Sequence, residues 1–157
     1  MGHARTLRTL LEYTVALSEL SSVLFSLKYQ LPVLQASGGG AIVNNASNLA
    51  ITGAPGMASY SAAKHGVVGL TRSAALDVVA TGVPINALVT GGVDTPLLRN
   101  NMGLPPEEAV RVAGALHPIG RIAQPDEIAA FVAFLLSDEA TFITGAALAI
   151  DGGMTAA

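Results

Sequence analysis

Apolar positions recur along the first part of the chain with a helical period. Leu20, Val23, Leu24, Leu27, Leu31 and Leu34 fall at i, i+3, i+4, i+7, i+11 and i+14, and so share one face of a helix. The pattern predicts a helix from Thr6 to about Gln35. Pro32 lies inside that run and is expected to kink it or end its regular part, because proline has no N–H for the helical ladder. Ser37-Gly38-Gly39-Gly40 then stops it, since glycine supplies the φ > 0 conformations of a helix exit.

Shorter apolar blocks follow. Ala41 to Ala46 (AIVNNA) reads as a buried strand, and Gly53, Pro55 and Gly56 mark a loop. A second helix is expected from Ser59 to Val79, with Ala63, Val67, Leu70, Ala74 and Val78 at helical spacing and Thr81-Gly82 closing it. Ile85 to Val89 reads as a second buried strand, ending in Thr90-Gly91-Gly92. Asn100, Asn101, Gly103, Pro105 and Pro106 predict a mobile loop around a short helix, Glu107 to Leu116. Gln124-Pro125-Asp126-Glu127 opens a third long helix: proline fits the first turn, and carboxylates there complement the helix dipole. Ile128, Val132 and Leu135 form its apolar stripe. Ala146 to Ile150 is a third strand, and Asp151-Gly152-Gly153 turns out of it. Alternating helices and strands are the mark of an α/β domain with a parallel sheet. The chain shows no internal repeat and no second domain.

Composition narrows the classes. The 157 residues are 51% hydrophobic and 12% charged, about half the charged share of an average soluble domain. Such a chain either oligomerises or lacks part of its natural packing partner. A net charge of −3, with eight scattered Lys and Arg, argues against a nucleic-acid surface. Without cysteine there is no disulfide, no thiolate chemistry and no Cys-based metal site, which fits a cytoplasmic protein. The longest apolar run, Ala129 to Leu136, is too short to span a bilayer. Residues 1–10 carry His3, Arg5 and Arg8 but no apolar signal core. His3, His65 and His117 show no ligand spacing, so no metal site is expected; His65 reads as a surface helix residue and His117 as a loop residue.

Candidate chemistry sits at the start of the second helix. Tyr60 and Lys64 are four residues apart, so their side chains share one face. A tyrosine hydroxyl titrates near 10 in isolation, and a neighbouring ammonium favours the phenolate. Such a tyrosine can protonate a carbonyl oxygen or deprotonate an alcohol. Ser47, at the end of the preceding strand, stands where a parallel sheet places its ligands and could hold the substrate oxygen beside Tyr60. Ser47 is not in a GxSxG elbow, which disfavours a serine hydrolase.

The surroundings of that pair carry more. GGGAIVNNAS, GAPGMASYSAAKHGVVGLTRSAAL, INALVTGGVDTP, HPIGRIAQPDEIAAFVAFLLSDEATFITG and ALAIDGG follow one another in order. Across residues 19–153 this closely resembles the short-chain dehydrogenase/reductase family. The resemblance implies that Ser47 positions the substrate, that Tyr60 is the general acid/base, and that Lys64 modulates the tyrosine and binds the nicotinamide ribose. It implies that Gly91, Val93 and Thr95 hold the nicotinamide amide, and that the loop from Pro96 to about His117 is a variable substrate lid. The activity implied is hydride transfer between NAD or NADP and an alcohol or carbonyl carbon. The fold implied is part of a Rossmann-like doubly wound sheet, three parallel strands with helices on both faces, as one domain over residues 1–157.

The sequence departs from the family in three places. Its TGxxxGxG turn, its cofactor-selecting residue and its NNAG strand are absent, so the adenine and pyrophosphate half of the cofactor site is not expected here. Glu19 stands where the family has a proton-relay asparagine; it could pair with Lys64 or turn to solvent. Thr90 replaces a proline before Gly91. With the first strand's edge left bare and the family's subunit-contact helices retained, a homo-oligomer is expected. Two functions remain open: an oxidoreductase acting on a small alcohol or carbonyl compound, or a catalytically inactive remnant that acts through association.

Overall fold

Alternation along the central strand sets the layers. In the computed structural model, which describes residues 2–156 and the side chains from Tyr13 to Ala156, Ile85 and Ala87 pack toward one face of the sheet and Leu88 toward the other. On the first face lie helix α1 (Gly2–Ala36), through Leu20, Val23, Leu27, Leu31 and Leu34, and helix α2 (Ala58–Val78), through Val67, Val68, Ala75 and Val78. On the second face, helix α5 (Pro125–Leu135) presents Ile128, Phe131, Val132 and Leu135. Strands β1 (Ile42–Asn45), β2 (Ile85–Thr90) and β3 (Ala147–Ile150) lie parallel in the order β1-β2-β3. Ile42 pairs with Ile85, and Ala87 with Ala147. Both faces of β2 are therefore covered, and its side chains from Ile85 to Val89 are buried, as a parallel strand requires. Burying side chains such as Ile85 and Val67, both fully hidden, contributes about 1.5–3 kcal/mol each. The expected α/β architecture, three strands with helices on both faces, is the one found.

Two buried asparagines pin the layers. Asn44 donates to the Thr71 hydroxyl at 2.9 Å, locking β1 to α2. Asn86 donates to the Ile143 carbonyl at 2.7 Å and accepts from the Ala146 amide at 3.1 Å, which fixes where β3 enters the sheet. On the same side, α1 and α2 approach so closely at Gly66 that a Cβ there would stand 2.9 Å from Leu20 Cδ1. That approach sets Glu19, next to Leu20, against the first turns of α2.

The structure corrects several expectations. Pro32 does not end its helix: α1 runs on to Ala36. Its missing N–H leaves one carbonyl without a helical partner near the exposed end of the helix, while Leu31 and Leu34 pack against the core on either side and outweigh that loss. The glycine stop is as expected, with Gly39 N–H donating to the Leu34 carbonyl at 3.0 Å. The stretch expected as a loop around one short helix holds two, α3 (Pro96–Asn101) and α4 (Pro106–Ala115). Thr95 caps α3 by accepting from Leu98 N–H, and Pro96 fills its first turn. Helix α1 starts at Gly2, four residues before the expected Thr6, and the remaining boundaries differ from the expected ones by a residue or so.

Among the described residues no strand covers the outer edge of β1. A shallow groove of about 480 Å³ runs beside it, lined by Tyr29, Val33, Leu34, Ile42 and Val43. No helix among the described residues is long and apolar enough to cross a membrane. The side chains of His3, Arg5 and Arg8 lie outside the described residues.

Candidate active site

The carboxyl ends of β1 and β2 lie side by side, since Asn45 pairs with Leu88, and this is where open parallel sheets bind ligands. Beyond β1 the chain turns at Ser47, which is buried and caps a single helical turn over Asn48–Ala50. The Ser47 hydroxyl accepts from Leu49 N–H at 3.2 Å and donates to Asn48 Oδ1 at 2.9 Å. That turn packs against α2, whose first turns carry Tyr60 and Lys64.

Lys64 is buried, and a buried ammonium is costly unless it is paired. Its Nζ lies 3.4 Å from Glu19 Oε2, donates to the Asn45 carbonyl at 3.4 Å and stands 5.4 Å from the centre of the Tyr60 ring. Glu19 thus pairs with Lys64 rather than turning to solvent. The pair is loose: Glu19 Oε2 is buried and makes no hydrogen bond, and the contact is ionic alone. Tyr60 is half-buried, and its hydroxyl makes no hydrogen bond with any described residue. No hydrogen bond joins Ser47 to Tyr60; the three residues meet through Lys64 and the end of β1.

Beyond β2 the turn from Gly91 to Thr95 is stitched to its surroundings. Gly91 N–H donates to the Ile150 carbonyl at 3.2 Å, Ala123 N–H to the Gly92 carbonyl at 2.9 Å, and Asp94 N–H to the Ala123 carbonyl at 2.9 Å. The Gly91 carbonyl and the Val93 N–H find no partner among the described residues. The Thr95 hydroxyl is spent on capping α3 and on a 3.4 Å bond to the Val93 carbonyl. Arg99 grips the Asp94 carboxylate with two bonds, 2.6 and 2.9 Å, and reaches Glu107 on α4 at 2.8 Å. The Arg99 guanidinium holds the Asp94 carboxyl below its ordinary range, against the opposing effect of burial. Asp151, at the exit of β3, is partly desolvated, which acts to raise its titration; hydrogen bonds from Thr155, Gly153 and Met154 outweigh this and lower it.

Three groups here were not legible beforehand. Asn48 as the partner of Ser47 and the Asp94–Arg99–Glu107 latch lack any spacing rule that would have marked them. His117, expected to be a loop residue, is buried at 6% exposure with both ring nitrogens bonded. His65 is exposed on α2, as expected. Among the described residues no cluster of His, Cys, Asp or Glu could hold a metal ion.

Residues 9–155 match the family model described as enoyl-(acyl carrier protein) reductase. The chain is 47% identical over 136 residues to cyclohexanol dehydrogenase of Acinetobacter sp. (strain SE19), covering 87% of this chain and 51% of that protein. It is 48% identical over 138 residues to cis-4-hydroxycyclohexanecarboxylate dehydrogenase of Sinomonas cyclohexanicum, covering 88% and 54%. The crystal structure of levodione reductase superposes with a TM-score of 0.83 at 38% identity, over 88% of this chain and 55% of that one. The chain belongs to the short-chain dehydrogenase/reductase family. It spans about half the length of the curated relatives it matches. The structure of ElxO with NADP bound superposes with a TM-score of 0.78 at 32% identity, over 86% of this chain and 54% of that one. By membership this short-chain dehydrogenase/reductase chain is of oxidoreductase descent. Its Thr90, where the family has proline, lies within β2 opposite Ile150 and extends the strand by one residue.

Proposed function

We propose that this chain carries the catalytic half of an NAD- or NADP-dependent oxidoreductase site acting on a cyclic secondary alcohol or its ketone, in the cytoplasm. The observation that carries the reading is the buried Lys64 ammonium held against the Tyr60 ring at the carboxyl end of a parallel strand. The substrate class follows from the relatives, whose names specify cyclohexanol and cis-4-hydroxycyclohexanecarboxylate.

The residues fit the nicotinamide end of such a cofactor. The free Gly91 carbonyl and Val93 N–H are an acceptor and a donor two residues apart, the pair a carboxamide needs. Thr95 fits less well than the resemblance implies, because its hydroxyl is engaged in capping. For the diphosphate end the described residues offer no glycine-rich turn opening a helix. When bound, the cofactor would give hydride to the substrate carbon or take it away. In this reading the Tyr60 hydroxyl, free of other partners, donates its proton to the substrate oxygen in reduction and accepts it in oxidation. The Lys64 ammonium stabilises the negative charge left on the tyrosine oxygen, with Glu19 as its counter-charge. Ser47 orients the substrate oxygen by turning its hydroxyl from Asn48.

The test compares this chain alone with the same chain fused behind the N-terminal half of the Acinetobacter cyclohexanol dehydrogenase. Cyclohexanol oxidation is followed with NAD and with NADP. The fusion is expected to turn over, and the chain alone to show no micromolar NADH binding by calorimetry. A folded fusion that binds cofactor yet shows no Tyr60-dependent turnover would refute the reading.

A second reading, association without catalysis, is favoured by one observation: the outer edge of β1 is open beside an apolar groove. An unpaired edge offers free N–H and C=O groups to a neighbouring strand. Light scattering is expected to show oligomers. A monodisperse 15.9 kDa species over a range of concentration would count against it.

A further inference from the structure

We propose that His117 is a positioning residue of the Gly91–Thr95 turn: a neutral imidazole, protonated on Nδ1, whose Nε2 holds the Gly92 amide and so couples lid helix α4 to the strand end beneath the nicotinamide. The cofactor part of this inference rests on the reading given under Proposed function; the tether itself does not.

The donor and acceptor types fix the tautomer. The Gly92 N–H can only donate, so Nε2, 2.8 Å away, accepts with its lone pair. The Ala113 carbonyl can only accept, so Nδ1, also at 2.8 Å, carries the proton. An imidazolium would set an N–H against the Gly92 N–H. The charged groups around the ring do not call for one. Asp151, Arg121 and Glu127 line the same small cavity, but Asp151 is bonded to Thr155 and Gly153, and Arg121 and Glu127 bond each other at 2.7 and 2.8 Å. None of them bonds the ring.

The space around the ring is equally specific. A Cβ on Gly91 would stand 2.6 Å from Nε2, and one on Gly92 would stand 3.0 Å from Cε1. On the far side, a Cβ on Gly152 would lie 3.5 Å from Cδ2. Gly91 and Gly92 thus leave the volume that this imidazole fills, while Gly152 only borders it. The ring hangs from the end of α4, where His117 N–H donates to the Gly114 carbonyl at 3.0 Å and the His117 carbonyl accepts from Gly120 at 2.8 Å. Gly92 is gripped twice, by His117 at its N–H and by Ala123 at its carbonyl. The groups left free are therefore the neighbouring Gly91 carbonyl and Val93 N–H, and their direction is set by how the Gly92 peptides are held. A shift of α4 would move Nε2 and turn those groups.

Long-range proton–nitrogen correlation spectra of the ¹⁵N-labelled full chain read the tautomer directly, and hydrogen exchange reads the tether. The expected spectrum shows Nδ1 protonated and Nε2 as an acceptor. His117→Leu is expected to speed Gly92 amide exchange about tenfold relative to Val67 in α2, the scale of one lost hydrogen bond. His117→Gln, whose side-chain oxygen can still accept, is expected to restore most of the protection. Acidification should release Gly92 in the wild type and not in the Gln variant. A wild-type ring protonated on Nε2 would overturn the proposal, as would unchanged Gly92 exchange in a folded Leu variant. Should the Leu variant fail to fold, the wild-type tautomer and the pH contrast with Gln decide the matter. None of these readouts needs cofactor, so they fail separately from the nicotinamide reading, which the fusion assay tests.

Discussion

Lys64, beyond the end of β1, reaches its two partners at 3.4 Å, whereas Arg99, one strand over, grips Asp94 at 2.6 and 2.9 Å. The contrast runs through both regions. Around Lys64, Tyr60 has an unspent hydroxyl, and Glu19 Oε2 and Ser61 Oγ are buried without hydrogen bonds. Around the Gly91–Thr95 turn, both polar groups of the Gly92 backbone are taken, as are the Asp94 N–H and carboxylate. Buried polar groups are normally satisfied, so the surroundings of Lys64 stand out among the described residues. One strand end leaves side-chain groups unspent; the other spends its side chains on holding a shape and leaves only the Gly91 carbonyl and the Val93 N–H free.

The sharpest way to break this contrast is Tyr60→Phe in the active fusion. It is expected to lower kcat by about 10²–10⁴-fold, as loss of a general acid/base does, with the melting temperature unchanged. An equal fall in melting temperature would show the hydroxyl to be structural. On the framework side, Asn86→Leu should leave the Ile143 carbonyl and the Ala146 N–H buried without their partner. At about 1–3 kcal/mol for each unsatisfied group, a loss of about 2–6 kcal/mol is expected in urea denaturation. A neutral result would mean that the entry to β3 is held by packing alone.

Glu19→Gln probes the unspent end more gently. Removing the counter-charge while keeping the side chain's size leaves the Lys64 ammonium to act on Tyr60 alone. A loose pair with one partner partly exposed is worth about 0.2–1 kcal/mol, so kcat is expected to rise about 1.4- to 5-fold, while the buried ammonium, left without its partner, lowers the melting temperature. A fall in kcat would assign Glu19 a role in delivering the proton. The smallest effect is at α5. Bonds from Arg121, then from the Gln124 backbone, lower the Glu127 carboxyl from 4.5 to about 2. A lowered carboxyl contributes stability that is complete above 4.5 and is lost as pH falls through about 2. Glu127→Gln should therefore lose a little stability at neutral pH, where the contribution is complete, and flatten that part of the acid unfolding curve.

The three strands, the long helices between them and the places of Ser47, Tyr60 and Lys64 on those elements were legible in the sequence, because each rests on a local period or spacing; the helices on both faces came from the family resemblance. The apolar stripe of α1 and the alternation of β2 are properties of a few turns of chain. What escaped depends on distant residues meeting. His117 lies 25 residues from Gly92, and no periodicity connects a loop histidine to a glycine amide on another element. Pro32 does not stop α1, because the local rule against proline competes with core packing on either side of it. Helix α3 was missed even though Thr95-Pro96 is a sound start signal, since the asparagines, glycine and prolines after it dominated the reading.

The glycines around His117 also constrain how this corner can change. A methyl group on Gly92 would fall 2.9 Å from Ile122 Cγ2 and 3.0 Å from His117 Cε1, so it fits only if both side chains shift, which a smaller residue at 122 makes easier. Shrinking first leaves a hole, and enlarging first makes a clash. Residues sharing one volume in this way show coupled rather than additive effects, about 0.5–3 kcal/mol in double-mutant cycles. Libraries that randomise one position at a time will therefore undercount the variants this corner accepts, and paired libraries at 92 and 122 will find those that single substitutions hide.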